Sequence, residues 1–372
     1  MPAFAIYRKP YESECHLAIQ KEGQPEELPS VSALSGKKGF VMAPFALDIQ
    51  HPVLLLHPDF NMTVLPDDLL RQYGSGDDNF VRMIDEILNQ PQQKEPEKHC
   101  THFHYAVDFA NFHSHILEGD FSKIVLARCC VEQNKHHLSP LHLFAKACKM
   151  YPRLFVALVS AYKCGTWLMA TPEVLLEGDG RQWSTMSLAG TMPLSGEQMD
   201  FDEPPSPHRH VEHEGIRWSI KNIQEQRFVS TYITEALEQM ASDIEEKGPY
   251  TMRAGNLVHL RSDFHFTISN RDQLGELINI LYPTPAVCGL PKDMARDFIV
   301  SNEFAPRCYY SGFLGSLNPD AETHLYVSLR CMRIDKDTCS LYAGGGLLAD
   351  SDMETEWRET EMKMDTMRNL LA

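Results

Sequence analysis

No run of apolar residues approaches the ~18–20 that a membrane-spanning helix needs. The opening stretch MPAFAIYRKPYESECH has no apolar core long enough for a secretory signal. Ten cysteines are present, yet no two have the CxxC spacing of a zinc ribbon or a thioredoxin-like redox pair. Several lie inside apolar runs, as reduced buried thiols do. These features point to a cytoplasmic protein without disulfides. There is no Walker A sequence and no GxGxxG after a strand, so nucleotide binding has no support. Positive charge is scarce: 34 Lys and Arg against 51 Asp and Glu leave a net charge of −17. That balance argues against nucleic acid or an anionic membrane as the main partner. It also leaves carboxylates free to hold a hard cation. Internal repeats and low-complexity tracts are missing too.

The 372 residues are 43% hydrophobic and 23% charged, which suits one large globular domain or two to three ordinary ones. Residues 89–99 (NQPQQKEPEKH) and 193–208 (PLSGEQMDFDEPPSPH) read as loops or linkers. Residues 1–100 carry no recognisable chemical pattern. Further on, KIVLARCCVE (123–132) and RLFVALVSAY (153–162) read as buried strands. LSPLHLFAKACKMY (138–151) reads as a helix between them, capped by Ser139. A helical period covers 218–240, and a last helix starts near residue 353. YVSLRCMRID (326–335) and TCSLYAG (338–344) suggest a hairpin turning through Asp335-Lys336-Asp337. The mixture predicts an α+β fold with largely antiparallel sheet.

Several side chains could carry chemistry, and each has a blander reading. Glu356, Glu359 and Lys363 share one face of the last helix, and Glu225 lies one turn after Asn222 on the 218–240 helix. Carboxylates from two helices could form a Mg²⁺ site, or they could be solvated faces with i,i+4 ion pairs. Gly344-Gly345-Gly346 follows a strand and could form a turn whose N–H groups cradle a carboxylate, or a plain strand-ending turn. Arg330, mid-strand in an apolar run, could bind a substrate carboxylate or face solvent on an edge strand. Lys123 opens an apolar strand, where desolvation favours the neutral, basic amine; Glu173 ends another apolar stretch, where burial favours the protonated acid. Either could instead sit at an exposed strand end. His208, His210 and His213 lack a fourth ligand nearby, so zinc is not expected there. Cys129 and Cys130, adjacent on a strand, should face opposite ways as two buried thiols.

Together these stretches resemble the chorismate-utilising enzymes, a family that includes isochorismate synthase, salicylate synthase, and the synthase components for anthranilate and aminodeoxychorismate. The resemblance covers residues 120–372 and rests on KIVLAR (123–128), TPEVLL (171–176), LAGT (188–191), KNIQEQ (221–226) and HLRSDF (259–264). It continues through LYPTPAVCGLP (281–291), Glu303 to RCYYSGFLG (307–315), LYAGGG (341–346), and EWRET (356–360) with Lys363. It implies two packed antiparallel sheets with helices outside, residues 1–100 being a divergent part of the same fold and 101–372 the chorismate-binding catalytic region. It implies Mg²⁺ held by Glu225 and Glu359 with support from Glu356. Arg330, Lys363 and the Gly344, Gly345 and Gly346 backbone match groups that hold substrate carboxylates. Ala189, Gly190, Thr191, His259, Tyr310 and Tyr342 match the pocket lining.

Members that add water carry a lysine matching Lys123, whereas anthranilate-type members have glutamine there. The aminodeoxychorismate branch often has lysine where this chain has Ala189. Both features point to isochorismate synthase, an isomerase feeding menaquinone or siderophore synthesis. Lys123 would deprotonate the water that attacks ring position 2, and Glu173 would protonate the hydroxyl leaving position 4. Salicylate synthases, the main alternative, tend to carry threonine at Ala286; an aminating component is a further one. With water as nucleophile no glutaminase subunit is expected, and a monomer is. A silent chorismate-binding protein would have no need of Lys123, Glu173, Glu225 and Glu359 together. The chain departs from the family at Gln226, where histidine is usual, at Ile223, where arginine is usual, and at Met192-Pro193, which replace basic residues.

Overall fold

Eighteen strands and eight α-helices follow one another irregularly in the described residues, and the strands are divided between two sheets. The computed structural model describes all residues except 76–78, 96–97, 195–215 and 255–256. First come β1 (Ala3–Arg8), β2 (Cys15–Gln20), β3 (Glu26–Leu28), β4 (Gly39–Ala43), β5 (Val53–Leu56) and β6 (Phe60–Val64). Helices α1 (Pro66–Ser75), α2 (Asn79–Leu88) and α3 (His102–Glu118) lead to β7 (Lys123–Gln133), α4 (Pro140–Met150), β8 (Phe155–Ala161) and β9 (Gly165–Thr171). Then follow β10 (Val174–Gly178), β11 (Gln182–Pro193), α5 (Ile220–Leu237), β12 (Ala241–Ala254), β13 (Leu257–Ile268), α6 (Leu274–Leu281), β14 (Gly289–Leu290) and α7 (Lys292–Asn302). The chain closes with β15 (Phe313–Leu317), β16 (Thr323–Val327), β17 (Cys331–Ile334), β18 (Thr338–Leu347) and α8 (Met353–Leu371).

One sheet has the order β14-β7-β18-β17-β9-β8-β1-β2-β6, the other β12-β13-β11-β10-β16-β15-β4-β5-β3. Their inner faces meet in a core that includes Phe155, Trp167 and Met169 from the first sheet and Met42, Leu188, Leu314 and Tyr326 from the second. The outer face of the first sheet is covered by Leu141 and Phe144 of α4 and Met364 and Met367 of α8. That of the second is covered by Val229 and Ile233 of α5 and Leu277 and Ile278 of α6. This is the expected α+β arrangement, two packed antiparallel sheets with helices outside. No helix among the described residues is long and apolar enough to cross a membrane.

Local chemistry explains the element ends. Ser139 caps α4 by accepting from the His142 backbone N–H, and proline begins the helix. Asp352 caps α8 through the Thr355 N–H. Cys129 packs into the core between the sheets and Cys130 into the outer one, as strand alternation requires. All ten cysteines are free and buried.

The apolar run 326–335 is not one strand: β16 pairs with β10 and β15 in the second sheet, and β17 with β9 and β18 in the first. Ser328, Leu329 and Arg330 cross between the sheets, and Arg330 takes a φ of 47°. The crossing is largely buried like the strands it joins, and its Ser328 and Arg330 continue the run without the Gly, Pro or Asn that would mark a turn. Residues 1–100 supply three strands to each sheet. After α2 the described part of 89–99 runs along the first sheet, with Gln92 Nε2 donating to Thr166 Oγ1 at 2.7 Å. His208, His210 and His213 lie outside the described residues.

Candidate active site

The start of β7, the glycine-bearing end of β18 and the facing turn of α5 bring opposite charges together out of water. Lys123 is fully buried, and its Nζ lies 3.1 Å from Glu225 Oε1. Glu225 Oε2 accepts the Gly190 backbone N–H at 3.2 Å. That N–H is turned toward the helix by a bulge in β11, where the register with β13 shifts between Ala189 and Thr191 and Gly190 takes a φ of 72°. Burial raises the Glu225 carboxyl, but Lys123, Lys363 and Lys221 outweigh it and hold the group below its ordinary range. Gln226, at the departure from the family pattern, anchors the helix from beneath: its Nε2 donates to Ser187 Oγ at 2.7 Å.

Glu173 stands at the corner between β9 and β10, 2% exposed. Burial pushes its carboxyl up to about 8, against the opposing pull of Lys123, a Thr284 hydrogen bond and Lys363. Thr284 Oγ1 donates to its Oε1 at 3.4 Å. A carboxylic acid that keeps its proton at neutral pH thus shares the interior with a buried lysine.

Arg330, placed by the sheet crossing rather than by a strand, sends its hydrogen bonds to neutral groups: His259 Nε2 at 3.0 Å and Thr366 Oγ1 at 3.3 Å. Burial lowers its guanidinium to about 10. His259 is held well below its ordinary value by burial and by Arg330 and Lys363, so its ring is neutral. With Nε2 facing a guanidinium, the proton belongs on Nδ1, 3.2 Å from the Gly190 carbonyl.

Gly344, Gly345 and Gly346 form no turn. They continue β18, paired with Ala127, Leu126 and Val125 of β7. What matters there is the missing side chain. A Cβ on Gly346 would come within 2.2 Å of Glu225 Oε1 and 2.7 Å of Lys123 Cε. One on Gly345 would point the other way, 2.9 Å from Glu356 Oε2 and 3.7 Å from Glu359 Oε1. Gly346→Ala is therefore expected to destabilise the protein by about 1–3 kcal/mol, read as a lower melting temperature by circular dichroism.

The three glutamates each meet a lysine. Glu225 pairs with Lys123, Glu356 with Lys221, and Glu359 with Lys363 at 2.7 Å. Lys363 also donates to the Gly344 carbonyl at 2.8 Å. Burial and Glu359 push the Glu356 carboxyl up to about 7, against Lys221 and a Ser351 hydrogen bond. As a set the three glutamates do not gather with all ligand oxygens within 4.8 Å. The donors nonetheless fit a hard cation: they are all carboxylate oxygens, Glu356 Oε2 is buried with no hydrogen-bond partner, and Gly345 leaves space beside it.

One cleft is lined by Glu173, Ala189, Gly190, Thr191, Glu225, His259, Tyr310, Arg330, Tyr342, Gly344, Gly346 and Lys363. Lys123 lies beside it through Glu225, and the missing side chain of Gly345 faces Glu356 and Glu359, the latter tied to the cleft by its ion pair with Lys363. The Tyr310 and Tyr342 rings stack with centroids 5.5 Å apart and form an aromatic wall. Sequence reasoning passed over four groups. Lys221 had a signal, being four residues before Glu225 on one helix face. Thr284 and Arg307 lay within the quoted stretches 281–291 and 307–315 but were given no role, and Ser351 had no signal. Arg307 donates to the Val125 and Val287 carbonyls at 2.8 and 2.7 Å and pairs with buried Glu303 to hold β7 under the cleft.

Isochorismate synthase MenF of Escherichia coli is 29% identical over 259 residues, 69% of this chain and 57% of that protein. Isochorismate synthase DhbC of Bacillus subtilis is 30% identical over 260 residues, 68% of this chain and 63% of that one. The chain thus spans less than two thirds of the length of these curated relatives. The solved structure of MenF, the menaquinone-specific isochorismate synthase from Escherichia coli, superposes with a TM-score of 0.74 over 100% of this chain and 89% of that one. At 20% identity this likeness speaks to the fold. The family described as chorismate binding enzyme matches residues 62–372, a stretch that holds every residue of the cleft. This chain belongs to that family.

Proposed function

We propose that the protein is a Mg²⁺-dependent isochorismate synthase. The observation that carries this reading is the buried pair of Glu173, protonated at neutral pH, and Lys123, sharing one desolvated interior. In the proposed reaction Lys123, having passed the proton of its ion pair with Glu225 to solvent, takes a proton from a water whose oxygen bonds to ring position 2. The ring double bonds shift, the bond to the hydroxyl at position 4 breaks, and Glu173 gives that hydroxyl its proton so that it leaves as water. Arg330 and Lys363 hold the substrate's carboxylates, with the Gly344, Gly345 and Gly346 backbone alongside. His259, Tyr310, Tyr342 and the Ala189, Gly190 and Thr191 segment shape the pocket. Glu225 and Glu359 would hold the metal with support from Glu356; when bound, Mg²⁺ supplies charge that orients the ring carboxylate and offsets negative charge in the transition state. The product feeds menaquinone or siderophore synthesis. Water as nucleophile removes the need for a glutaminase, and the chain acts as a cytoplasmic monomer.

Arg330→Gln should lower kcat/KM for chorismate about tenfold or more, chiefly through KM, because a charged hydrogen bond to bound substrate is lost in ground and transition states alike. Steady-state kinetics checks this. The whole reading is tested by chromatography of products from chorismate and Mg²⁺, with an EDTA control and no ammonium salt. Metal-dependent isochorismate is expected. Salicylate with pyruvate would make the protein a salicylate synthase, and turnover that requires ammonia would place it in the aminating branch.

A further inference from the structure

Away from the cleft, three segments bring three kinds of donor to one point. His51 lies in the loop between β4 and β5, Glu95 in the stretch after α2, and Cys308 in the turn before β15. One ligand atom from each lies within 4.8 Å of the other two. His51 is 7% exposed, Cys308 8%, and the Glu95 side chain 10%. One nitrogen, one carboxylate oxygen and one sulfur form a mixed donor set. It suits a borderline-soft cation such as Zn²⁺ and suits Mg²⁺ poorly.

The surroundings are built as metal sites are built. His51 Nε2 is 2.9 Å from Glu95 Oε1, while Nδ1 is 3.1 Å from each Asp48 oxygen. Asp48 is itself fixed by the backbone N–H groups of Gln50 and His51, each at 2.7 Å. Gln93 Nε2 donates to Glu95 Oε1 at 3.3 Å. The Tyr309 ring meets the imidazole edge-on at 5.9 Å. Histidines that bind metals commonly give their other ring nitrogen to a carboxylate, and ligating carboxylates are in turn hydrogen-bonded. Both features are present around this trio.

We propose that His51, Glu95 and Cys308 form a second metal site, selective for Zn²⁺ or a similar thiophilic divalent cation over Mg²⁺, with Asp48 orienting the imidazole. Binding forms metal bonds to a ring nitrogen, a carboxylate oxygen and the Cys308 thiolate. The thiol proton and the proton between His51 and Glu95 pass to solvent. Three protein ligands leave one coordination position for water or an outside donor. The site would tie the β4–β5 loop and the stretch after α2 to a residue two positions before Tyr310 of the cleft, so occupancy should stiffen that wall. The competing arrangement is a metal-free clasp, in which a cationic His51 bridges Asp48 and Glu95.

The test uses the full chain, stripped with EDTA, dialysed and titrated with Co²⁺ as a spectroscopic probe. One equivalent should produce thiolate-to-cobalt charge-transfer absorption that Zn²⁺ displaces and excess Mg²⁺ leaves intact. Cys308→Ser should abolish the band although nine other cysteines remain, and His51→Gln and Glu95→Gln should abolish or strongly weaken it. Asp48→Asn should weaken binding about 10–100-fold. Glu225→Gln should leave the band unchanged, which separates this site from the glutamates of the cleft. Melting curves in EDTA establish that each variant is folded; if Cys308→Ser is not, the two other ligand variants decide. Absence of a thiolate band, its persistence in Cys308→Ser, or its retention at full strength in both His51→Gln and Glu95→Gln would overturn the site and leave the metal-free clasp.

Discussion

Lys123→Met is expected to lower kcat by about 10²–10⁴-fold, the usual contribution of a positioned base. Methionine keeps most of the buried volume, so the change isolates the amine. It should also destabilise the fold by about 3–5 kcal/mol, because it leaves the buried Glu225 carboxylate without its nearest cation. Lys363 and Lys221 remain as partners at longer range, which favours the lower end of that span. The sign of the pH effect follows from the Glu225 shift. A carboxyl held below its ordinary value adds stability above 4.5, and that stability is lost as pH falls through the lowered value. Lys123→Met removes the largest opposing charge, so its stability should depend less on pH in the acid range. Steady-state kinetics and urea unfolding at several pH values check both statements.

Glu173→Gln should also cost about 10²–10⁴-fold in kcat, yet it should make the protein more stable. The Glu173 carboxyl is raised to about 8 in the fold from 4.5. For such a group the unfolded chain ionises first. Burial therefore costs nothing below 4.5, costs progressively more as pH rises toward 8, and reaches a plateau above it. At pH 7 the group is about 2.5 pH units past its unfolded value, an upper limit of about 3 kcal/mol that glutamine does not incur. Glutamine retains an acceptor for the Thr284 hydroxyl. In the wild type, kcat/KM should fall as pH rises through about 8, since the acid must hold its proton, and that alkaline limb should be absent from the residual activity of Glu173→Gln. Opposite stability changes with parallel losses of activity distinguish a strained acid from a paired base. Two structural residues would not be expected to give that combination.

Legibility in the sequence followed how local the cause was. α4 and α8 carried their own caps and periods, and β7 and β8 their own β-branched runs, so these elements were readable within a residue or two. Arg330 was misplaced because a chain crossing from one sheet to another through the interior stays apolar on both sides. Periodicity reports burial, and it carries no record of which sheet does the burying. The glycines of β18 were misread for a related reason. A glycine run signals permissive backbone when read alone, whereas here the side chains of Glu225 and Glu356, far off in sequence, need the space. The six strands before residue 65 are short and belong to two sheets, so no stretch of them shows a long pattern. The cleft residues were accessible through nine short motifs in family order. The roles of Lys221, Thr284 and Arg307, which lie within those motifs, and of Ser351, which does not, became readable only from tertiary contacts.

In the proposed reaction water, activated beside Lys123, adds to ring position 2 while Glu173 releases the hydroxyl at position 4. Turnover of chorismate and Mg²⁺ in ¹⁸O-labelled water, followed by mass spectrometry of the product, tests it most directly. The product should be isochorismate carrying one heavy oxygen, located at the position 2 hydroxyl, and Lys123→Met should incorporate it about 10²–10⁴-fold more slowly. An unlabelled product, or a labelled one formed equally well by Lys123→Met, would contradict it.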